Sequence, residues 1–236
     1  MTVRVLYIFP HPDDESFGPA PAMVAQRRQG HEVHLLTLTR GGATKVRHKL
    51  GLSVDEMGEV RLAEMREMAA GLDLTSLTVL DLPDSGLKEM DPREIEVVVD
   101  RHLVELRPEL VVSYPAYGIS GFDDHLVTHA VVKRVFCERR ESIGSHLKRL
   151  AFTTLDEVPE SDRPVHLRAS RPEDIDCVMP VSSEDRRAQR RALDCYRKYR
   201  EVIERIDPSA LSGDHQYFEI FQEEHDPSIA DLCAGL

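Results

Sequence analysis

Five residues near the start of the chain, His11-Pro12-Asp13-Asp14-Glu15, set an imidazole beside three carboxylates, directly behind the apolar run 3–9. Imidazole nitrogen and carboxylate oxygen are among the few side-chain donors that hold a catalytic zinc ion. His11 and Asp14 share one loop, so both can reach one ion. A third donor, His125, follows a second apolar run at 110–114 and the loop Tyr117-Gly118-Ile119-Ser120-Gly121. If the two runs are neighbouring strands, their C-terminal loops meet and His125 joins the other two. Two nitrogens and one oxygen leave a fourth position for water, the pattern of catalytic rather than structural zinc. Such a water ionises at about pH 7. Asp13 is then the natural general base, although spacing alone does not say which aspartate ligates.

Ordinary roles exist for the same residues. An Asp-Asp pair after a strand commonly caps a helix or lies in a solvated turn. His125 alone reads equally well as a surface or capping histidine. Arg61 and Glu64, one helical turn apart, would make an exposed ion pair. Asp84, in Pro83-Asp84-Ser85-Gly86, has the character of a turn residue.

The elements that must position these groups alternate in type. Runs 3–9, 32–39, 77–82 and 110–114 have strand character, and 20–29, 56–70, 92–106 and 124–139 have helical spacing or helix-start signals. That order implies a parallel sheet with right-handed crossovers and helices on both faces. Ligands of such sheets bind beyond the C-terminal strand ends. After residue 140 the pattern changes: 150–154, 165–168 and 175–181 look like strands without helices between them. A long charged helix is expected from 183 to about 206. The aromatic closing segment, 207–236, is expected to dock as a short element and could support contact between copies of the chain. With no repeat or linker in view, one domain over 1–236 is expected, with a core at 1–140 and an extension at 141–236.

Bulk properties narrow the function classes. The net charge of −12 disfavours nucleic acid and anionic membranes as partners. No apolar stretch approaches the roughly 20 residues that cross a bilayer, and no signal-peptide pattern precedes residue 11, so a cytoplasmic location is expected. The four cysteines are scattered without a CxxC pair, which suits reduced thiols rather than disulfides or a cysteine-rich zinc site. The first strand is followed by neither GxGxxG nor a Gly-Lys-Ser/Thr loop, which disfavours a nucleotide-binding protein.

The sequence resembles the LmbE-like, or PIG-L, family of zinc-dependent N-deacetylases. The resemblance rests on Pro10–Glu15, Leu38-Thr39-Arg40-Gly41, Arg61-x-x-Glu64, Leu82-Pro83-Asp84-Ser85-Gly86-Leu87 and Tyr117-Gly118-Ile119-Ser120-Gly121-Phe122-Asp123-Asp124-His125. These blocks stand in the family's order and span about residues 1–135. The resemblance implies a Rossmann-like three-layer α/β/α fold, a mostly parallel sheet and a mixed β/α extension. It also implies hydrolysis of an N-acetyl or N-acyl group on an amino sugar such as an N-acetylglucosamine conjugate. By the same token His11, Asp14 and His125 would be ligands of one Zn2+ per chain, a position other divalent transition metals could take. Asp13 would be the general base, Arg61 a substrate contact, and Asp84 a residue near the sugar pocket.

The chain departs from the family at Phe122, where a histidine usually stabilises the oxyanion or helps as acid, with Asp124 orienting it. Losing such a group typically costs about 100- to 1000-fold in rate. Asp13 could carry the proton both ways, or His129 could substitute. Alternatively, the chain could be a metal-retaining but weakly active or non-catalytic sugar-binding protein, with Phe122 stacked on the sugar ring. A second departure, Pro19-Ala20-Pro21-Ala22 where relatives often carry glycines, would alter the start of the first helix and the pocket floor.

Overall fold

A computed structural model describes residues 1–156, 167–211 and 213–236. The first half runs β1 (Arg4–Phe9), α1 (Asp14–Phe17), α2 (Ala20–Arg28), β2 (Glu32–Thr39), α3 (Val46–Leu50), α4 (Val54–Gly71), β3 (Ser76–Leu82), α5 (Pro92–Leu106) and β4 (Leu110–Ser113). The second half adds α6 (Asp123–Arg140), β5 (Arg149–Thr154), β6 (Cys177–Pro180), α7 (Ser183–Cys195), α8 (Arg200–Ile206), α9 (Pro208–Leu211) and β7 (His215–Ile220).

The strands form one sheet in the order β3-β2-β1-β4-β5-β7-β6. The first five are parallel, and β7 runs antiparallel to both β5 and β6. Successive strands step from β1 outward to β3, and the chain then returns to the other side of β1 with β4. That reversal is the topological switch point, where open α/β sheets leave a crevice at their C-terminal edge. The pairing of β1 with β4 brings together the loops that carry His11 and His125.

Burial alternates along β1 between the two faces. Val5, Tyr7 and Phe9 pack with Met23 of α2, Met65 and Met68 of α4, and Ala188 and Ala192 of α7. Leu6 and Ile8 pack on the opposite face with Ile95, Val99 and Leu103 of α5 and Val132, Val135 and Phe136 of α6. A strand buried on both faces must be continuously apolar, which is why 3–9 reads as an unbroken hydrophobic run. Full burial of a side chain such as Phe9 contributes about 1.5–3 kcal/mol, so these two layers hold the sheet that carries the loops. Helix ends follow local chemistry: Ser53 and Glu56 form a capping box on α4, and Asp91 caps α5 ahead of Pro92.

Three C-terminal expectations change. The helix expected over 183–206 is broken: α7 ends at Cys195, a short 3-10 turn covers Arg197–Tyr199, and α8 follows. The break lets Tyr196, fully buried, donate to Glu15 Oε1 at 2.7 Å. The closing segment supplies β7, an internal strand whose Gln216, Phe218 and Ile220 point into the protein at period two. Of the strand expected at 165–168, residues 165–166 lie outside the described residues, and 167–168 are irregular. Among the described residues no helix is long and apolar enough to cross a membrane.

Candidate active site

Beyond the C-terminal edge of β1, Asp13 takes a left-handed backbone conformation (φ 84°) and starts the short helix α1. That strained turn lets Asp13 and Asp14 leave the loop with different partners. Asp14 Oδ2 accepts from the His11 backbone N–H at 2.8 Å, and its Oδ1 accepts from Tyr114 Oη at 2.8 Å. His11, Asp14 and His125 each bring one donor atom to a common point, all within 4.8 Å of one another.

His125 sits in the first turn of α6, its ring stacked on Tyr114 (centroids 4.1 Å apart, planes at 10°). Its Nδ1 lies 2.9 Å from the Gly118 carbonyl, which can only accept, so Nδ1 carries the proton. Nε2 is then the bare nitrogen. It is buried, without a hydrogen-bond partner, 3.5 Å from Asp14 Oδ1. A lone pair aimed at a carboxylate oxygen across such a gap is repulsive unless a proton or cation lies between them. Close packing sets this ring: a Cβ on Gly118 (φ +65°) would come within 2.8 Å of His125 Cβ.

His11 is fixed from its other nitrogen. Nε2 lies 3.1 Å from Asp124 Oδ2 and 3.4 Å from Asp84 Oδ1, which leaves Nδ1 facing Asp14 Oδ2 at 3.6 Å. Burial works against a charged imidazole here, but the carboxylates of Asp124, Asp14 and Asp84 outweigh it and push His11 up to about 10. Asp124, almost fully buried, also accepts from the backbone N–H groups of Ser85 and Leu87. The expected partnership of Asp124 with position 122 is thus replaced by one with His11. A carboxylate holding the far side of a histidine is the usual outer support of a metal site.

Asp13 points away from this cluster to Arg61. The guanidinium donates to Asp13 Oδ2 and to the Pro12 carbonyl, each at 2.6 Å, and lies 4.4 Å from the centre of the Tyr199 ring. Arg61 and Glu64 are both buried, which overturns the exposed ion pair: Glu64 accepts instead from the Lys198 backbone N–H. Burial pushes the Asp13 carboxyl up to about 6 despite Arg61, with the neighbouring Asp14 charge adding to the rise. Gly41 (φ +65°) allows this arrangement, because a Cβ there would meet Pro12 Cδ at 2.8 Å and Arg61 Nε at 3.2 Å. Glu15 faces inward, accepts from Ser16 and Tyr196, and is pushed up to about 7 by burial. It belongs to the scaffold.

Two cavities meet at this cluster. The larger, about 830 Å³, has His11, Asp13, Arg61, Asp84, Asp124 and His125 in its walls. The smaller, about 230 Å³, lies against Asp13, Tyr114 and His125. Phe122 is 57% exposed, stands edge-on to His125 with centroids 5.5 Å apart, and borders both cavities. Asp84 is held by the Ala43 backbone N–H at 2.6 Å, so it works as more than a turn residue. His129 borders neither cavity. Its Nδ1 donates to the Tyr114 carbonyl and its ring packs on Phe152, which removes it as a proton carrier at the site. Tyr114 and Tyr199 are the site residues that sequence reasoning missed: one closes an apolar strand, the other sits in a charged run, and neither carries a motif.

Comparison with known proteins places the chain in a family. A family model described as PIG-L, GlcNAc-PI de-N-acetylase, matches residues 6–136. The 1D-myo-inositol 2-acetamido-2-deoxy-alpha-D-glucopyranoside deacetylase of Thermomonospora curvata is 29% identical in an alignment 152 positions long that covers 56% of this chain and 51% of the relative. The chain spans about half the length of the curated relatives it matches. Among solved structures, N,N'-diacetylchitobiose deacetylase from Pyrococcus horikoshii aligns with a TM-score of 0.71 at 17% identity, over 92% of this chain and 83% of that one. GalB, the 4-carboxy-2-hydroxymuconate hydratase of Pseudomonas putida, aligns with a TM-score of 0.68 at 14% identity, over 95% and 98%. These structural likenesses concern the fold, which evidently hosts more than one reaction. With its family model covering more than half of the residues, the chain belongs to the PIG-L family.

Proposed function

We propose that this chain is a zinc-dependent N-deacetylase acting on a small amino-sugar conjugate of the N-acetylglucosamine type. The observation that carries the reading is the buried, unpartnered Nε2 of His125 facing Asp14 Oδ1, with His11 completing the donor set. Two imidazoles and a carboxylate suit zinc. Bound by His11, Asp14 and His125, zinc would supply an acidified water and polarise the amide carbonyl. The relatives' printed substrate, an acetamido-glucopyranoside of inositol, supports the substrate class.

The chain's own residues do the rest. Asp13, turned away from the ligand cluster but bordering both cavities, takes a proton from the attacking water. The new C–O bond forms at the carbonyl carbon, the C–N bond breaks, and Asp13 returns the proton to the amine nitrogen. Arg61 holds Asp13 in place and keeps enough negative charge on it to act as a base. Asp124 and Tyr114 fix His11 and Asp14. Phe122 offers an aromatic face at the cavity mouth to one face of the sugar ring. The single seven-stranded sheet supports a reading of the chain as one domain.

The alternative, a non-catalytic sugar binder, rests on Phe122 alone, while the ligand set and the base are intact. The test is amine release from a panel of N-acetylglucosamine conjugates, measured with zinc, after chelation, and after zinc is restored. Release that disappears on chelation and returns with zinc is expected. No release from any conjugate, or release indifferent to chelation, overturns the proposal.

A further inference from the structure

The scissile amide of an N-acylated sugar has two arms that diverge at the carbonyl carbon: a polyhydroxylated amine and an acyl chain. The site has two cavities that diverge at Asp13 and His125. The larger is bordered by groups that pair with hydroxyls, among them Asp84, Ser85, Thr44 and Lys45. The smaller has the apolar side chains of Phe17, Ile119, Leu155, Leu167 and Ile206 on part of its walls, with polar groups that include Thr153, Arg205 and His215 on the rest. An acetyl methyl, close in size to one water at about 30 Å³, would fill a small part of its roughly 230 Å³.

We infer that the smaller cavity is an acyl subsite and that the preferred substrates carry an N-acyl chain longer than acetyl, of about four to six carbons. This rests on the amidohydrolase reading above and deepens it. The balance of the reaction is unchanged: water's oxygen bonds to the acyl carbon, the C–N bond breaks, and the proton goes to the amine, giving the free amino sugar and a short-chain carboxylate. Phe122 stands between the two cavities, so it separates the arms of the substrate.

The experiment uses the zinc-loaded full chain. Turnover of N-acetyl-, N-propionyl-, N-butyryl- and N-hexanoylglucosamine is followed by amine release. Dissociation constants for acetate, butyrate and hexanoate, which need no turnover, are measured by calorimetry. Burial of each methylene is expected to raise kcat/KM and carboxylate affinity roughly fourfold, hence about fifteenfold from acetyl to butyryl. Leu155→Trp, which fills the cavity, is expected to abolish the preference for butyryl over acetyl. Ile206→Trp serves the same purpose if the first variant does not fold. Turnover that does not rise as the acyl chain lengthens beyond acetyl, or carboxylate affinities that stay flat, overturns the acyl subsite and leaves deacetylation standing. Chain-length trends unchanged in a folded cavity-filling variant also overturn it. No turnover of any member overturns the amidohydrolase reading and the subsite with it.

Discussion

Arg61→Met tests whether Asp13 depends on one buried cation. Arg61 is 3% exposed, gives both of its 2.6 Å hydrogen bonds to Asp13 and the Pro12 carbonyl, and stacks against Tyr199. Methionine fills much of the same space without charge. Asp13 is then left buried beside Asp14 with no opposing guanidinium. Breaking a buried pair from one side costs about 3–5 kcal/mol, mostly from the uncompensated charge that remains. For a chain of this length each kcal/mol lowers the melting temperature by about 2–4 °C, so a loss of roughly 6–20 °C is expected. The assay is urea and thermal unfolding of the wild type, Arg61→Met, Asp13→Asn and the double variant. Chelator is kept in all samples so that metal binding does not add to stability. If the cost comes from the stranded carboxylate, the double variant recovers most of it, with a coupling of about 2 kcal/mol or more. A cost for Arg61→Met below about 1 kcal/mol, or a double variant no more stable than the single, refutes the reasoning.

Asp124→Asn keeps the size of the side chain but weakens the grip on His11, so zinc affinity is expected to fall about 10- to 100-fold in competition with a chromophoric chelator. Unchanged affinity would show that Asp124 serves only the backbone of Ser85 and Leu87. Phe122→His restores a donor at the cavity mouth, and kcat/KM on an N-acetylglucosamine conjugate is expected to rise about 100- to 1000-fold. A gain below about tenfold would show that catalysis here does not await a donor at that position. Burial holds His34 and His129 below the ordinary histidine range. The unfolded chain therefore takes up their protons first, at about pH 6.5, and their contribution to stability is lost as pH falls from there toward their folded values. His129→Gln is expected to lose less stability than wild type between pH 7 and 5.5 in urea unfolding; an equal loss sinks the assignment.

Most of the fold was legible because its signals are local. The apolar runs of β1, β2 and β4 and the Asp91-Pro92 helix start act through neighbours in the chain. The break at Tyr196 was hidden, because the contact that Tyr196 makes there is with Glu15, 181 positions away. The partner of Asp124 was hidden for the same reason: nothing local to residue 124 says that His11 lies 3.1 Å from it. Arg61 and Glu64 misled in the other direction. Their helical spacing describes an exposed pair, and only the packing of α4 against the Pro12 loop and the 196–199 turn shows both buried.

Asp124 and His125 are consecutive, and their adjacency explains how the proposed ligand His125 can be placed reliably from a distant loop. Asp124 is pinned by three partners from two other loops: the backbone N–H groups of Ser85 and Leu87 after β3, and the His11 ring after β1. Being in the first turn of α6, the two residues share one rigid backbone, so fixing Asp124 also fixes the next side chain. His125 is then steered by the Gly118 carbonyl and the Tyr114 ring until only Nε2 faces Asp14. The loops after β1, β3 and β4 therefore meet through one buried carboxylate. A change at Asp124 should disturb His11 and His125 together, and that joint loss distinguishes a shared anchor from a simple hydrogen-bond partner of His11.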